Sequence, residues 1–252
     1  MHRSEVNRLD AVRIRIGLGD AQTKPAVEAL GLQSITPSRG VLHLLDYRPG
    51  PALPTMASAG VTISVHDSGD LSLLTVQVRH IRRQRLHPRW TAFYGRDEEI
   101  LRVEEERDRT RRVLAASLTV RSQHPGHAWT GTELRLADLL SPRQWSFLHD
   151  CAPGQPQPRP LTPLGPISVL SWPVRLDLVD ATVSRWQHRP MDGGGGAGLD
   201  LMEVSRGSLP AEAGFLYPAL AASIRRRGLD PDGSVPWLEM RAARWFAETV
   251  QH

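Results

Sequence analysis

Residues 193–198 read Gly-Gly-Gly-Gly-Ala-Gly, a run of the kind that lets backbone N–H groups approach a phosphate. No Gly-Lys-Ser/Thr follows it, and Leu199 opens an apparent strand rather than a helix, so the run reads as a flexible hairpin loop. His124 and His127 are metal-ligand types, but Pro125-Gly126 between them makes a turn and removes the i, i+4 geometry of a helical zinc pair. Serines and histidines are present, yet no Gly-x-Ser-x-Gly elbow frames a nucleophile. Cys151 is the single cysteine and makes neither an internal disulfide nor a thiolate metal site by itself. Two arginine clusters remain: Arg82, Arg83, Arg85 and Arg89, then Arg107, Arg109, Arg111 and Arg112 beside Glu106 and Asp108. Each reads as a solvated, partly self-paired face or as a surface for a polyanion.

The elements that must carry these residues are mostly strands. Val61-Thr62-Ile63-Ser64-Val65-His66 alternates apolar and polar residues, the period of a half-buried strand. Asp67-Ser68-Gly69-Asp70 supplies turn chemistry, and Leu71–Arg79 completes a hairpin. Further strands are expected at 10–17, 41–47, 100–106, 113–120, 167–175, 181–188 and 199–205. Helices are expected at 25–32, at 143–151 behind Ser141-Pro142, from Ser208 and Pro210 to Gly228, and at 235–250, where Trp237, Met240, Ala243 and Phe246 lie near one face. Many strands with helices at particular ends make an α+β fold. The Pro-rich connection at 152–166 divides the chain into two strand-bearing portions, and one barrel shared by both, a single domain over 1–252, is the simpler reading.

Composition bounds the partners. The chain has 252 residues, 40% hydrophobic and 23% charged, with a formal charge of +4. That excludes disorder of the whole chain. No stretch reaches the ~18 consecutive apolar residues of a membrane-spanning helix. The first residues are charged rather than an apolar leader, so a cytoplasmic protein with no membrane partner is expected. Lys24 is the one lysine among 31 basic residues. Arginine's planar fork pairs carboxylates and phosphates in a way lysine does not, but so small a net charge gives no reason to expect nucleic acid.

Taken in order, the segments resemble the CYTH superfamily, the triphosphate tunnel metalloenzymes, which include class IV adenylate cyclases and thiamine, inorganic and some RNA triphosphatases. The resemblance runs from about Val12 to Phe246. Leu44-Leu45-Asp46-Tyr47, then Leu53 and Ala59-Gly60-Val61-Thr62-Ile63, is similar to the family's extended strand, Asp turn and Gly-initiated strand. Leu74–Arg79 sits where the family has a strand ending in Thr-x-Lys. Arg102–Glu106 and Ala116-Ser117-Leu118 resemble the paired-acid strand and its successor, and Leu201–Ser205, a helix and Gly228-Leu229 resemble the C-terminal layout. The resemblance implies a mostly antiparallel eight-stranded tunnel barrel with peripheral helices, in which basic residues hold a triphosphate and carboxylates hold Mg²⁺ or Mn²⁺.

The signature residues depart from that pattern. Where the family has Glu-x-Glu-x-Lys on its first strand, this chain has Arg13, Arg15 and Gly17. Ser64, His66 and Gln77 stand at inward basic positions, the strand through Pro166–Pro173 offers no basic side chain, and Leu238 falls about where a phosphate-binding lysine would. Arg79, Glu104, Glu106, Glu203 and Asp46 survive.

The resemblance with its losses implies a divergent member without metal-dependent triphosphate chemistry. Its remodelled tunnel would bind or transform a small ligand, an anion among the candidates, with no metal or cofactor. Arg13, Arg15 and Arg79 would contact the ligand together with Glu203, Trp172 would floor a less polar lumen, and His66 is the candidate acid or base, with Glu104 and Glu106 as catalytic carboxylates. Alternatively, Arg13 and Arg15 pair with Glu104 and Glu106 and plug the lumen, leaving a non-enzymatic module whose arginine face binds an acidic protein. The remaining alternative is an active triphosphate hydrolase or cyclase using Glu104, Glu106 and Glu203 with Mg²⁺ or Mn²⁺.

Overall fold

Each alternating run becomes a strand, and nine strands close on themselves. A computed structural model describes residues 11–47, 56–81, 86–91, 99–109, 111–122, 134–154, 159–189, 198–231 and 237–249. The strands are β1 (Ala11–Leu18), β2 (Ser38–Tyr47), β3 (Val61–Ser68), β4 (Leu71–Arg79), β5 (Glu99–Arg107), β6 (Arg112–Arg121), β7 (Leu161–Leu176), β8 (Val179–His188) and β9 (Leu199–Ser208). They form a closed barrel in the order β1-β5-β6-β4-β3-β2-β7-β8-β9. The expected eight antiparallel strands are therefore corrected to nine mixed ones. A closed ring in which every neighbour is antiparallel needs an even strand number, so nine strands force one parallel contact. It falls between β1 and β5, with Arg13 opposite Glu106; all other pairs are antiparallel. Strands from both sides of the Pro-rich connection enter this one barrel, and the expected connection at 152–166 is corrected at its end: β7 begins at Leu161 and pairs with β2 from there.

The helices are α1 (Thr23–Ala29), α2 (Pro88–Thr91), α3 (Leu136–Leu139), α4 (Pro142–Cys151), α5 (Pro210–Arg226) and α6 (Leu238–Thr249). α4 starts where Ser141-Pro142 places it. Ser141 Oγ accepts from Gln144 N at 3.1 Å while Gln144 Oε1 accepts from Ser141 N at 3.3 Å, a closed capping box. The buried Gln144 amide also donates to the carbonyls of Leu74 and Leu118, which fixes α4 on β4 and β6. α5 differs from expectation at its start: Ser208 ends β9, and Leu209 takes the N-cap position without a side-chain cap.

Alternation along the strands separates an outer face from a lumen face. Outward, Val12, Ile14, Ile16, Met202 and Val204 pack under α5 and α1. On the other side Ile63, Val65, Leu74, Val76 and Leu118 pack against Phe147 and Leu148 of α4. A third apolar cluster lies inside the barrel, where Leu238, Ala242 and Phe246 of α6 meet Leu42, Leu44, Ile167, Trp186 and Leu201. α6 thus closes one end of the lumen. Among the described residues no helix is long and apolar enough to cross a membrane.

Candidate functional site

The residue opposite each core-facing position points inward, so Arg13 and Arg15 of β1, Thr62, Ser64 and His66 of β3, Gln77 and Arg79 of β4, Glu104 and Glu106 of β5 and Glu203 of β9 share the lumen. The structure brings seven charged side chains together there. Arg13 Nε donates to Glu104 Oε1 at 2.7 Å. Arg15 Nε donates to both carboxylate oxygens of Glu203 at 2.9 and 2.8 Å, Nη1 to Glu106 Oε1 at 3.1 Å, and Nη2 to Glu239 Oε2 at 3.2 Å. Arg79 Nε donates to Glu106 Oε2 at 2.8 Å and Nη1 to Thr62 Oγ1 at 3.1 Å. Gln77 Nε2 adds a bond to Glu106 Oε1 at 3.2 Å. The expected pairing of Arg13 and Arg15 with Glu104 and Glu106 is present, with Arg79 and two further carboxylates joined to it.

Arg79 is positioned by the turn before β3. Gly60 has φ +79°, its carbonyl accepts from Arg79 N at 2.7 Å, and a Cβ there would press on the Arg79 carbonyl at 3.1 Å and the His80 ring at 3.0 Å. Asp46 holds that turn, accepting from Tyr47 N at 2.7 Å and Met56 N at 2.6 Å. Burial raises the Asp46 pKa even against those bonds. Its part is structural.

The lower cluster is deep: Arg15, Arg79 and Glu106 are 6%, 2% and 1% exposed. Such burial works against every charge, and here the partners decide the outcome. Burial lowers the Arg15 pKa, but the charges of Glu203, Glu239 and Glu106 outweigh it and leave the group well above its ordinary value. Burial raises Glu106 and Glu239, yet Arg15 and Arg79 hold Glu106 below the usual carboxylate range and Glu239 at about 2. At Glu203 burial prevails and its pKa is raised. Three carboxylates against two guanidiniums leave one negative charge in excess, and Glu203 is the group placed to take up a proton.

Glu239 was invisible to sequence reading. The resemblance directed attention to Leu238, and that residue faces the apolar cluster while its neighbour reaches both arginines. Helix register against a barrel end is set by the docking angle, which periodicity does not report. Two donors in this region stay unmatched. Arg79 Nη2 lies 3.1 Å from Glu239 Oε2 but off the hydrogen-bonding direction, and Trp237 Nε1, whose ring lies 4.9 Å under the Arg79 guanidinium carbon, finds no acceptor among the described residues.

The other site expectations divide. His66 lies on the lumen wall, half-buried, with its ring over Gly40, where any Cβ would collide with the imidazole. Burial lowers its pKa more than the Asp67 charge raises it. No hydrogen bond joins it to Glu104 or Glu106 among the described residues. Trp172 is a correction: it packs in the outer cluster under α5 and does not floor the lumen, because it shares β7's outward face with Val174 and Leu176. Trp186 of β8 faces inward instead. Of the arginine clusters, Arg89 pairs with Asp150, Arg107 with Glu105 and Arg111 with Asp108. Arg82, Arg83, Arg85, His124, His127 and residues 193–197 of the glycine run lie outside the described residues.

The donor set does not fit a divalent cation as arranged. Glu106, Glu203 and Glu239 converge, but their oxygens are turned onto one guanidinium, and no group of three or more His, Cys, Asp or Glu side chains among the described residues is spaced to hold a metal.

No family model and no curated protein matches the sequence. Solved structures do. A proposed adenylyl cyclase of Hippeastrum, described as having a dominant triphosphatase activity, superposes with a TM-score of 0.51 at 12% identity over 93% of this chain and 96% of that one. A proposed adenylate cyclase of Bacillus halodurans gives 0.50 at 10% identity over 89% and 91%. The fold is CYTH-like. At such identities the CYTH-like likeness concerns the barrel and its helices, not the chemistry inside it.

Proposed function

We propose that this chain is a divergent CYTH-fold protein that binds a small organic ligand in the open half of its lumen without a metal ion and has left metal-dependent triphosphate chemistry behind. One observation carries the reading: the interior guanidiniums of Arg15 and Arg79 are already bonded to Glu106, Glu203 and Glu239 in a buried cluster. A triphosphate would have to displace those carboxylates, and breaking a buried ion pair costs about 3–5 kcal/mol because it strands the partner charge. A metal would need the same carboxylates turned away from Arg15. Beyond the cluster, the Arg13–Glu104 pair and His66 remain within reach of solvent, with side-chain exposure of 33% for Arg13 and 17% for Glu104.

Phosphate release from ATP, thiamine triphosphate and tripolyphosphate, each with Mg²⁺ or Mn²⁺, tests this directly. The expected result is no release above the protein-free rate. Turnover that requires the metal and falls when Glu106→Gln is introduced would overturn the proposal in favour of an active triphosphate enzyme.

A further inference from the structure

The most exposed large apolar side chains of this molecule gather at one helix. Leu178, Phe215 and Leu209 are 86%, 60% and 47% exposed, more than any other large apolar residue among those described. Phe215 stands on the solvent side of α5, and Leu209 is its N-cap. Leu178 lies beside the C-terminal end, because the neighbouring Asp177 accepts from Arg226 and Arg227. The other side of α5, through Leu216, Leu220 and Ile224, is buried in the outer cluster with Ile14 and Ile16 of β1. Only the solvent side is left open.

That side lacks the chemistry of a water-facing helix. A solvated helix face ordinarily carries charge, yet no residue from Ala213 to Ile224 is charged. Ala211, Gly214, Phe215, Pro218 and Ala219 are exposed there, with Ala222 half-buried beside them. Glycine weakens a helix interior, and a Cβ on Gly214 would meet nothing within 4 Å, so packing within this chain does not require it. A glycine beside a protruding phenylalanine suits the close approach of a second backbone. The charges sit at the two ends and differ in sign: Glu212 is in the first turn, Arg225 and Arg226 in the last. Neither Glu212 nor Arg225 has a side-chain partner among the described residues. Such a surface is complementary to itself under a two-fold rotation about the middle of the helix, between Pro218 and Ala219. The rotation sets Phe215 of each copy at the level of Ala222 on the other and Glu212 at the level of Arg225. It also carries Leu209 to the end where Leu178 protrudes.

We infer that the solvent side of α5 is an interface between two copies of this chain, packed antiparallel about Pro218 and Ala219. One helix from each copy makes a contact at the small end of specific interfaces, so the dimer is reversible and depends on concentration. Sedimentation equilibrium of the full chain, from micromolar to submillimolar protein, reads this out. The expected result is a dimer that forms as concentration rises, is abolished by Phe215→Glu and is weakened severalfold by Gly214→Leu, with the far-UV circular dichroism of both variants native. Oxidation with copper phenanthroline tests the arrangement, and native Cys151 is silent, since it is buried and its thiol is pushed up to about 12. Ala219→Cys, beside the two-fold axis, should form an intermolecular disulfide rapidly. Ala211→Cys should not, because its two copies lie about 22 Å apart along the helices at ~1.5 Å of rise per residue. A monomer at every concentration overturns the proposal and leaves the face bare or covered by residues 1–10, which lead into β1 where Val12 pairs with Ser208. A dimer that persists in both Phe215→Glu and Gly214→Leu overturns it as well, and equal cross-linking at 211 and 219 overturns the antiparallel packing on which it rests.

Discussion

Arg15 is the residue on which the interior turns, because one guanidinium answers three carboxylates from β5, β9 and α6. Arg15→Ala strands Glu106, Glu203 and Glu239 together, so a stability loss of about 3–5 kcal/mol is expected in urea unfolding. The loss should be larger at pH 8 than at pH 5, where the stranded carboxylates take up protons; a pH-independent loss would contradict this. Two of the glutamates pull in opposite directions. Glu239, held at about 2, contributes stability that is present above the ordinary carboxylate range and lost as pH falls toward that value. Glu203 has a raised pKa, so its contribution is present below the ordinary range and lost as pH rises through the raised value. Glutamine mimics a protonated glutamate, and Glu203→Gln should therefore cost less at pH 7 than Glu239→Gln. Equal costs in urea titrations would show that Glu203 is ionised and fully compensated. The lumen arginines and glutamates of β1, β4, β5 and β9 were legible because the resemblance named the tunnel-facing positions and alternation gave Glu104 and Glu106, and Arg13 and Arg15, a common face. Glu239 was not, because nothing in a helix sequence states how that helix meets a barrel.

At the scale of elements, α6 is the piece that closes one end of the lumen. Phe246, Ala242 and Leu238 supply its apolar contact, and Phe246→Ala should cost about 3–5 kcal/mol. Opening that end should also speed alkylation of cysteine placed at Thr62, a buried lumen position at the level of Arg79. Loss of stability without faster alkylation would mean that α6 supports the barrel but does not seal it. α4 illustrates what sequence does specify: Ser141, Pro142 and Gln144 fix its first turn through local bonds that need no knowledge of the rest. Trp172 illustrates the converse. Its type suggested a lumen floor, but its parity on β7 sends it under α5.

For the whole molecule, period-two patterning located eight of the nine strands to within a few residues; the ninth, β7, starts six residues early because Pro163 and Pro166 read as loop chemistry, and the strand count in the barrel was taken from a resemblance and came out one short. The parity of a closed ring then explains the parallel β1·β5 contact. Because β7, β8 and β9 close the barrel begun by β1–β6, a cut between Gly154 and Arg159, ahead of β7, leaves a six-stranded and a three-stranded sheet, each with two open edges and an uncovered lumen face. Peptides cut there are expected to show little native circular dichroism alone and to regain it on mixing; a cooperative melt of either piece by itself would contradict a shared barrel. The central claim, that the guanidiniums of the floor are already taken up by carboxylates from within, is tested most directly by titrating tripolyphosphate into the protein calorimetrically, with and without Mg²⁺. The expected result is no saturable heat in either condition. Saturable, Mg²⁺-dependent binding that weakens in Glu106→Gln would contradict it and return the lumen to triphosphate chemistry.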